Sequence, residues 1–122
     1  MKASVYTSQD CGGICSPQKF ERDMIKKLSS NYVITKKPAK DHLPDIMGID
    51  VLGGNTLMFC ECKCYTALKS PDSAHKLWAS TCKKQYERCE GLLRLGYKGF
   101  LAVRTYGKIT IFKLELEDES QT

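Results

Sequence analysis

The chain has 122 residues, of which 42% are hydrophobic and 27% charged, as in one ordinary globular domain rather than a disordered chain. No apolar run approaches the roughly 18 residues that a membrane-spanning helix needs. The first fifteen residues also lack the long apolar stretch of a secretion signal. We therefore expect a soluble intracellular protein without membrane association.

Positive charge is concentrated in the body of the chain. The net charge is +5, but residues 115–122 hold four acids and no base, so the rest has nineteen Lys and Arg against ten Asp and Glu, a net charge of +9. A body this basic suits a polyanionic partner, nucleic acid first, although a merely soluble basic protein has the same charge. Residues 115–122 are predicted to form a solvated acidic tail.

The predicted elements begin after an irregular N-terminal extension, residues 1–15. Ser16 and Pro17 are typical of the N-cap and first position of a helix, which we expect to reach about Ser29. A second, longer helix is predicted from a cap at Ser73 to about Leu95. The predicted strands are 32–36, 46–52, 56–64, 99–105 and 108–114. Residues 16–114 thus form an α/β domain, order α-β-β-β-α-β-β, with a mixed five-stranded sheet flanked by helices.

Seven cysteines are a high count, but they contain no CxxC pair and so do not indicate structural zinc. One alternating trio is predicted to give the third strand an apolar face, and one pair to lie on the core side of the long helix. These residues are Cys60, Cys62 and Cys64 in the strand, and Cys82 and Cys89 in the helix. Cys11 and Cys15 are close enough in sequence for a disulfide.

The third strand and the turn before it bring acidic and basic side chains together. Because side chains alternate along a strand, Glu61 and Lys63 point to one face. A three-residue turn over 53–55, symmetric about Gly54, places Asp45 opposite Lys63 and diagonal to Glu61. An exposed strand with a local ion pair is the simpler reading of Glu61 and Lys63 alone.

Both helices carry a polar residue on or beside an apolar stripe. On the first helix Glu21 falls within the arc of Phe20, Met24, Ile25 and Leu28, where an acid usually has a metal ion or another cation as partner. On the long helix Gln85 lies at the edge of the apolar arc. Gln85 is either an accessory site residue or a partly buried amide with a backbone partner.

Three carboxylates and an amine together suggest metal-assisted hydrolysis of a phosphodiester. Glu21, Asp45 and Glu61 are hard oxygen ligands that suit Mg²⁺, with Mn²⁺ able to substitute, and a bound metal polarises a phosphate and acidifies water. Lys63 would orient the attacking water or offset charge in the transition state. Neither His42 nor His75 is needed.

The segment Pro44-Asp45, followed after fifteen residues by Glu61-Cys62-Lys63, resembles the signature of the PD-(D/E)xK nucleases. The helix start Phe20-Glu21-Arg22 and the element order make residues 16–114 similar to archaeal Holliday-junction resolvases. The resemblance implies a restriction-endonuclease-like fold and a homodimer that cuts four-way DNA junctions in a prokaryotic, archaeal or viral setting, with no small-molecule substrate. It also implies that Glu21, Asp45 and Glu61 hold the metal, that Lys63 assists the water, and that Thr35 matches a hydroxyl ahead of the Asp.

Basic residues on both sides of this signature are candidates for phosphate contacts. They are Lys36, Lys37 and Lys40 before Asp45, and Lys83, Lys84 and Arg88 on the long helix. Each could equally belong to a solvated face. Three other functions stay open: a repair, replication or restriction nuclease, a catalytically silent nucleic-acid-binding module on the same fold, and an iron–sulfur nuclease.

Overall fold

A computed structural model describes residues 1–12, 16–35 and 43–117 of the chain. Its strands are β1 (Lys2–Asp10), β2 (Val33–Thr35), β3 (Ile46–Asp50), β4 (Thr56–Cys64), β5 (Lys98–Thr105) and β6 (Lys108–Glu115). Its helices are α1 (Pro17–Leu28), α2 (Pro71–Thr81) and α3 (Lys83–Arg94). Within the described ranges, no helix is both long and apolar enough to cross a bilayer.

The six strands form one mixed sheet in the order β1-β6-β5-β4-β3-β2. Strands β4 and β5 run parallel, and the other neighbouring pairs are antiparallel. Helices α2 and α3 occupy the connection between β4 and β5, which is the crossover that a parallel pair requires. The predicted α/β class and mixed sheet are confirmed, but the predicted count of five strands is wrong.

The additional strand is β1, which lies in the segment predicted to be irregular. It pairs with β6 from Lys2 opposite Glu115 to Asp10 opposite Lys108, so the sheet extends beyond residues 16–114. Most of β1 is exposed, and its sequence shows little apolar alternation. Its strand structure therefore comes from pairing along the β6 edge, which local sequence does not reveal.

The predicted long helix is two helices that meet at Cys82, whose backbone φ and ψ are −113° and 54°. The hydroxyls of Ser80 and Thr81 both donate to the carbonyl of Leu77, at 3.1 and 2.6 Å, a bonding pattern that bends helices. The start was also misplaced. Ser70, rather than Ser73, is the N-cap of α2, because Pro71 takes the first helical position.

Helix α1 begins and ends as predicted and covers one face of the sheet. The Ser16 hydroxyl accepts a hydrogen bond from the backbone N–H of Lys19 at 3.1 Å, and the helix ends at Leu28. Its stripe packs on β3, β4, β5 and β6, and burying one residue such as Phe20 contributes about 1.5–3 kcal/mol. The buried residues of this layer are Phe20, Met24, Leu28, Ile46, Met58, Cys60, Phe100, Ala102 and Ile111.

Helices α2 and α3 cover the opposite face and form a second buried layer. Trp78 of α2 is its largest member, and the layer also takes alternate residues of β4, β5 and β6. Its buried residues are Phe59, Ala74, Trp78, Cys89, Leu101, Val103, Phe112 and Leu114. The molecule therefore has three layers, and the side chains of β4 alternate between the two cores.

Candidate functional site

The β3–β4 hairpin brings Asp45 opposite Glu61. Ile46 pairs with Cys60 and Asp50 with Thr56, so continuing the register by one residue places Asp45 across from Glu61. The prediction of a three-residue turn, with Asp45 opposite Lys63, is wrong, because the loop between β3 and β4 contains residues 51–55. Since the register differs by two residues, the predicted common face of Asp45 and Glu61 is retained.

Asp50 and two residues with left-handed backbone account for the longer loop. The Asp50 carboxylate accepts a hydrogen bond from the backbone N–H of Gly53 at 2.8 Å and contacts the Lys98 ammonium at 3.0 Å. Gly54 and Asn55 adopt positive φ angles of 84° and 63°. Asp50 thereby ends β3 early, which a Gly-Gly-Asn signal alone does not reveal.

Glu61 is a buried carboxyl group with an unsatisfied oxygen. Its relative exposure is 1%, and its Oε2 atom has no hydrogen-bond partner among the residues that the structure describes. Burial, followed by a hydrogen bond to Asp45 and the charge of Asp45, raises the pKa of Glu61 well above its ordinary value. Burial and the neighbouring Asp45 therefore favour the protonated form of Glu61.

Asp45 is anchored at the end of the hairpin. Its Oδ2 atom accepts a hydrogen bond from the backbone N–H of Cys62 at 3.0 Å. This bond lies one residue beyond Glu61 on β4, so it ties Asp45 to the strand that carries both Glu61 and Lys63.

Glu21 reaches the same region from α1. It is half-buried, and burial, followed by the charge of Asp45, raises its pKa. Glu21, Thr35 and Asp45 line one cleft of about 450 Å³ between α1 and the β2–β3 edge. Glu21 therefore lies on the face of the sheet covered by α1, whereas Glu61, which alternates with Cys60 and Cys62, lies on the face covered by α2 and α3.

The donor set fits a small divalent cation with most of its coordination completed by water. Among the described residues, no group of three or more His, Cys, Asp or Glu side chains is already gathered tightly enough to hold an ion. Mg²⁺ does not need such a cage, since one or two carboxylates with several waters are its usual protein ligands. Asp45 and Glu61 can supply that pair, and the unsatisfied Glu61 Oε2 is the acceptor that a cation would satisfy.

Lys63 lies on the same face of β4 as Glu61. It is half-buried, and its positive charge acts to lower the pKa of Glu61, against the larger effect of burial. Lys63 lies two residues beyond Glu61 on an extended strand, so their backbone positions are about 7 Å apart. This position suits a group that contacts a substrate phosphate or a water beside the carboxylates.

The two predicted accessory residues have defined partners. The Gln85 side-chain carbonyl accepts a hydrogen bond from the Trp78 indole N–H at 3.3 Å, so its partner is a side chain and not the backbone. The Thr35 hydroxyl donates to the carbonyl of Met47 at 3.0 Å while lining the cleft with Glu21. Thr35 therefore lines the same cleft as Glu21 and Asp45, and Gln85 is held against Trp78 at the edge of the second core.

Of the predicted phosphate-binding residues, those on α3 can be located. Lys83, Lys84 and Arg88 are exposed. Lys83 and Lys84 border a surface cleft of about 450 Å³ at the junction of α2 and α3. The other three, Lys36, Lys37 and Lys40, lie outside the described residues, as does His42.

The cysteines pack as predicted from their spacing. Cys60 is buried in the α1 layer, where Cys62 and Cys64 pack beside it, and Cys89 is buried in the other layer. Cys11 is a free thiol, and Cys15, the other half of the disulfide that the spacing would allow, lies outside the described residues. Burial, followed by the charge of Glu61, raises the pKa of the Cys89 thiol. Cys89 therefore forms part of the apolar wall behind Glu61.

Arg104 is a buried charged residue that the sequence reading missed. Its relative exposure is 3%, and its guanidinium donates to the Cys11 thiol at 2.5 Å and to the carbonyl of Gly12 at 2.8 Å. An arginine in the apolar run of β5 was the available signal. Since Arg104 pairs in register with Cys64, it lies at the same end of the sheet as Lys63.

No protein family and no curated protein matches the sequence. The fold is similar to that in the 1.6 Å resolution structure of Archaeoglobus fulgidus Hjc, a Holliday junction resolvase from an archaeal hyperthermophile. The TM-score is 0.49, with 20% sequence identity over 84% of this chain and 86% of that chain.

Proposed function

We propose that the chain is a metal-dependent endonuclease of the PD-(D/E)xK kind, acting on branched DNA and above all on four-way junctions. The observation that carries the proposal is the buried Glu61 carboxyl group, which has an unsatisfied oxygen and lies against Asp45. Burying an acid beside a second, half-buried carboxylate is costly unless a cation offsets their charge.

Asp45 and Glu61 would hold Mg²⁺ or Mn²⁺, with Glu21 as a further ligand directly or through water. When bound, such an ion polarises the phosphate and lowers the pKa of water. The protein's own groups position the ligands and exclude water. Asp45 is held rigid by the Cys62 N–H, and the apolar wall beneath Glu61 excludes bulk water, which strengthens the local electrostatic interactions.

Lys63 would stabilise the negative charge that grows on the phosphate oxygens as the water attacks, or would orient that water. Removal of one such preorganised group typically costs a factor of 10²–10³ in rate, about 2.7–4 kcal/mol. Thr35, on the cleft wall, would contact a neighbouring phosphate. The basic residues on α3, together with Lys36, Lys37 and Lys40, would contact more of the backbone, which gives affinity without sequence readout.

A junction substrate is proposed from the signature Pro44-Asp45 and Glu61-Cys62-Lys63 with the Phe20-Glu21-Arg22 helix start, which resemble the archaeal resolvases. Paired cuts on opposed strands require two active sites, so the proposal includes a homodimer. The same site on a repair or restriction enzyme would instead cut linear, nicked or flap DNA.

The test is a panel of labelled four-way junction, flap, nicked and linear DNA, incubated with Mg²⁺ or with EDTA. We expect Mg²⁺-dependent, symmetric cuts in the junction, and loss of cutting in Glu61→Gln with binding retained. Glu87→Gln is the matched control, since Glu87 is an exposed glutamate on α3. Binding without cutting in Mg²⁺ and in Mn²⁺ would contradict the proposal and indicate a binding module.

A further inference from the structure

A second pocket, separate from the carboxylates, lies on the β1 side of α1. It has a volume of about 200 Å³, and three aromatic side chains, Tyr6, Tyr32 and Phe100, form much of its wall. Lys27 and Asn31 complete the side contributed by α1 and the residues after it. We refer to it as the aromatic pocket. Its size is below the roughly 300–1,000 Å³ of drug-sized sites, so it fits one ring system.

A bulge in β1 directs Tyr6 into this pocket. Val5 pairs with Phe112 and Thr7 with Ile111, so the register shifts at Tyr6, which has no partner on β6. Bulges commonly redirect a side chain in this way. The Tyr6 ring lies 5.4 Å from the Phe100 ring, at an interplanar angle of 60°.

The other two rings provide a fixed floor and wall. Phe100 has a relative exposure of 2% and is part of the α1 core layer. Tyr32 lies 6.2 Å from Phe100, centroid to centroid, at 50°. Tyr6, by contrast, is 58% exposed. A large aromatic residue left this exposed beside two ordered rings can close over a flat ligand at little cost in folding energy.

The surroundings of the aromatic pocket are cationic. The Lys27 ammonium donates to the Gln9 amide oxygen at 2.8 Å, which leaves its charge uncancelled by that contact. Lys113 pairs in register with Phe100 and so projects from the same face of the sheet. The Lys98 ammonium lies 5.9 Å from the centre of the Tyr32 ring, but its charge is offset by Asp50 at 3.0 Å.

We propose that the aromatic pocket binds one unpaired nucleobase of a DNA strand, with Lys27 and Lys113 contacting the flanking phosphates. Aromatic rings with nearby cations favour a flat, anionic ligand, and base stacking on such rings tolerates any sequence. The proposal rests on the proposed function for its choice of nucleic acid, and it adds a site for single-stranded or unpaired nucleotides beside the nuclease centre.

The placement relative to α1 suits one continuous strand. The cleft with Asp45 is lined by Glu21, Ile25 and Ser29, whereas the aromatic pocket is lined by Lys27 and Leu28 on the other side of the helix. A helix with its side chains is about 10–12 Å across. A DNA strand crossing α1 could therefore place a phosphate in the cleft and an unpaired base in the aromatic pocket.

The test measures binding of a short single-stranded oligonucleotide carrying 2-aminopurine, in EDTA so that no cleavage occurs. We expect 2-aminopurine fluorescence to fall on binding, and Tyr6→Ala to weaken binding by about 5- to 150-fold, equivalent to ~1–3 kcal/mol per stacked base. Tyr6→Phe should bind as the unaltered protein does. Val5→Ala is the matched control, since Val5 is 60% exposed on the same strand and pairs with Phe112 of the opposite layer.

An abasic oligonucleotide of equal length and charge tests the same idea without altering the protein. The unaltered protein should bind it about as weakly as Tyr6→Ala binds the normal strand, and Tyr6→Ala should no longer distinguish the two. Equal affinity of the unaltered protein for both strands would overturn the proposal. These measurements need neither metal nor cleavage. If 2-aminopurine still stacks in the pocket while Glu61→Gln does not affect cleavage, the base-binding proposal stands and the proposed nuclease site fails.

Discussion

At the scale of single residues, the proposed metal site depends on Glu61, an acid that is buried where acids are rarely found. Glu61 was singled out because it alternates with cysteines on an apolar strand, and the structure places it at 1% exposure. Sequence could not supply its pairing with Asp45, because that depends on the register of a loop whose geometry is determined by Asp50. The predicted common face survived only because the register error was an even number of residues.

Metal removal should make stability depend on pH through Glu61. Its raised pKa means that the folded, metal-free protein keeps a proton that the unfolded chain loses above about 4.5, the ordinary value. The free energy of unfolding should therefore fall as pH rises from this value toward the raised pKa. In EDTA at pH 8, the melting temperature of Glu61→Gln should exceed that of the unaltered protein by at least about 4 °C. A gain of ~1 kcal/mol in the free energy of unfolding produces a shift of this size in a domain of this length.

Thermal melts at pH 5 and pH 8, with EDTA or with Mg²⁺, check this prediction. Mg²⁺ should stabilise the unaltered protein at pH 8 and leave Glu61→Gln unchanged, because binding to the folded state alone raises stability. Melting curves that shift in parallel for both proteins would show that Glu61 titrates normally.

Lys63 should matter to the reaction rather than to metal binding. Lys63→Met retains a long apolar stem but removes the ammonium, so kcat should fall about 10²–10³-fold, the usual cost of losing one preorganised charge-stabilising group. Single-turnover cleavage at saturating Mg²⁺ measures this fall. Lys69→Met, which alters an exposed lysine outside β4, should leave the rate unchanged. Equal rates for the two variants would remove Lys63 from the mechanism.

At the scale of elements, the sequence predicts those helices and strands that local interactions stabilise, and it misses those that contacts with other elements stabilise. Helix α1 has a cap, a proline at its first position and an apolar stripe, so local sequence defines it. Strand β1 and the break at Cys82 depend on tertiary pairing and on hydroxyl bonds to the Leu77 carbonyl, which no local pattern reveals. The same limit hid the bulge that directs Tyr6 toward Phe100.

The attachment of β2 to β3 depends on a glycine. A Cβ atom at Gly48 would overlap the backbone carbonyl of Val33, and backbone atoms cannot move aside cheaply. We expect Gly48→Ala to destabilise the protein by about 1–3 kcal/mol, the usual cost of overpacking, and to displace β2 with its cleft residue Thr35. Urea unfolding measures the free energy.

Gly91→Ala is the control for this change, because a Cβ atom there meets nothing within 4 Å and alanine favours a helix. It should leave stability unchanged or raise it slightly. A Gly48→Ala protein as stable as the original would mean that β2 is not held as close to β3 as described.

At the scale of the whole molecule, the sheet brings residues that are far apart in the sequence to one end of the fold. Strands β3 and β4 carry Asp45, Glu61 and Lys63 to one end, and α1 brings Glu21 to the same end from the opposite face. The sequence indicated these four residues because each broke the pattern of its own element. Contacts between elements, including the aromatic pocket and the Arg104 contact with Cys11, could not be predicted, since partners such as Cys11 and Arg104, 93 positions apart, follow no recognisable sequence pattern.

The most direct measurement of the central claim is an anomalous difference map from crystals of the protein soaked in Mn²⁺. The account predicts a peak at metal–oxygen distance, roughly 2.0–2.2 Å, from carboxylate oxygens of both Asp45 and Glu61, with the peak lost in Glu61→Gln. A map with no peak between these two residues, or with the same peak in Glu61→Gln, would contradict it.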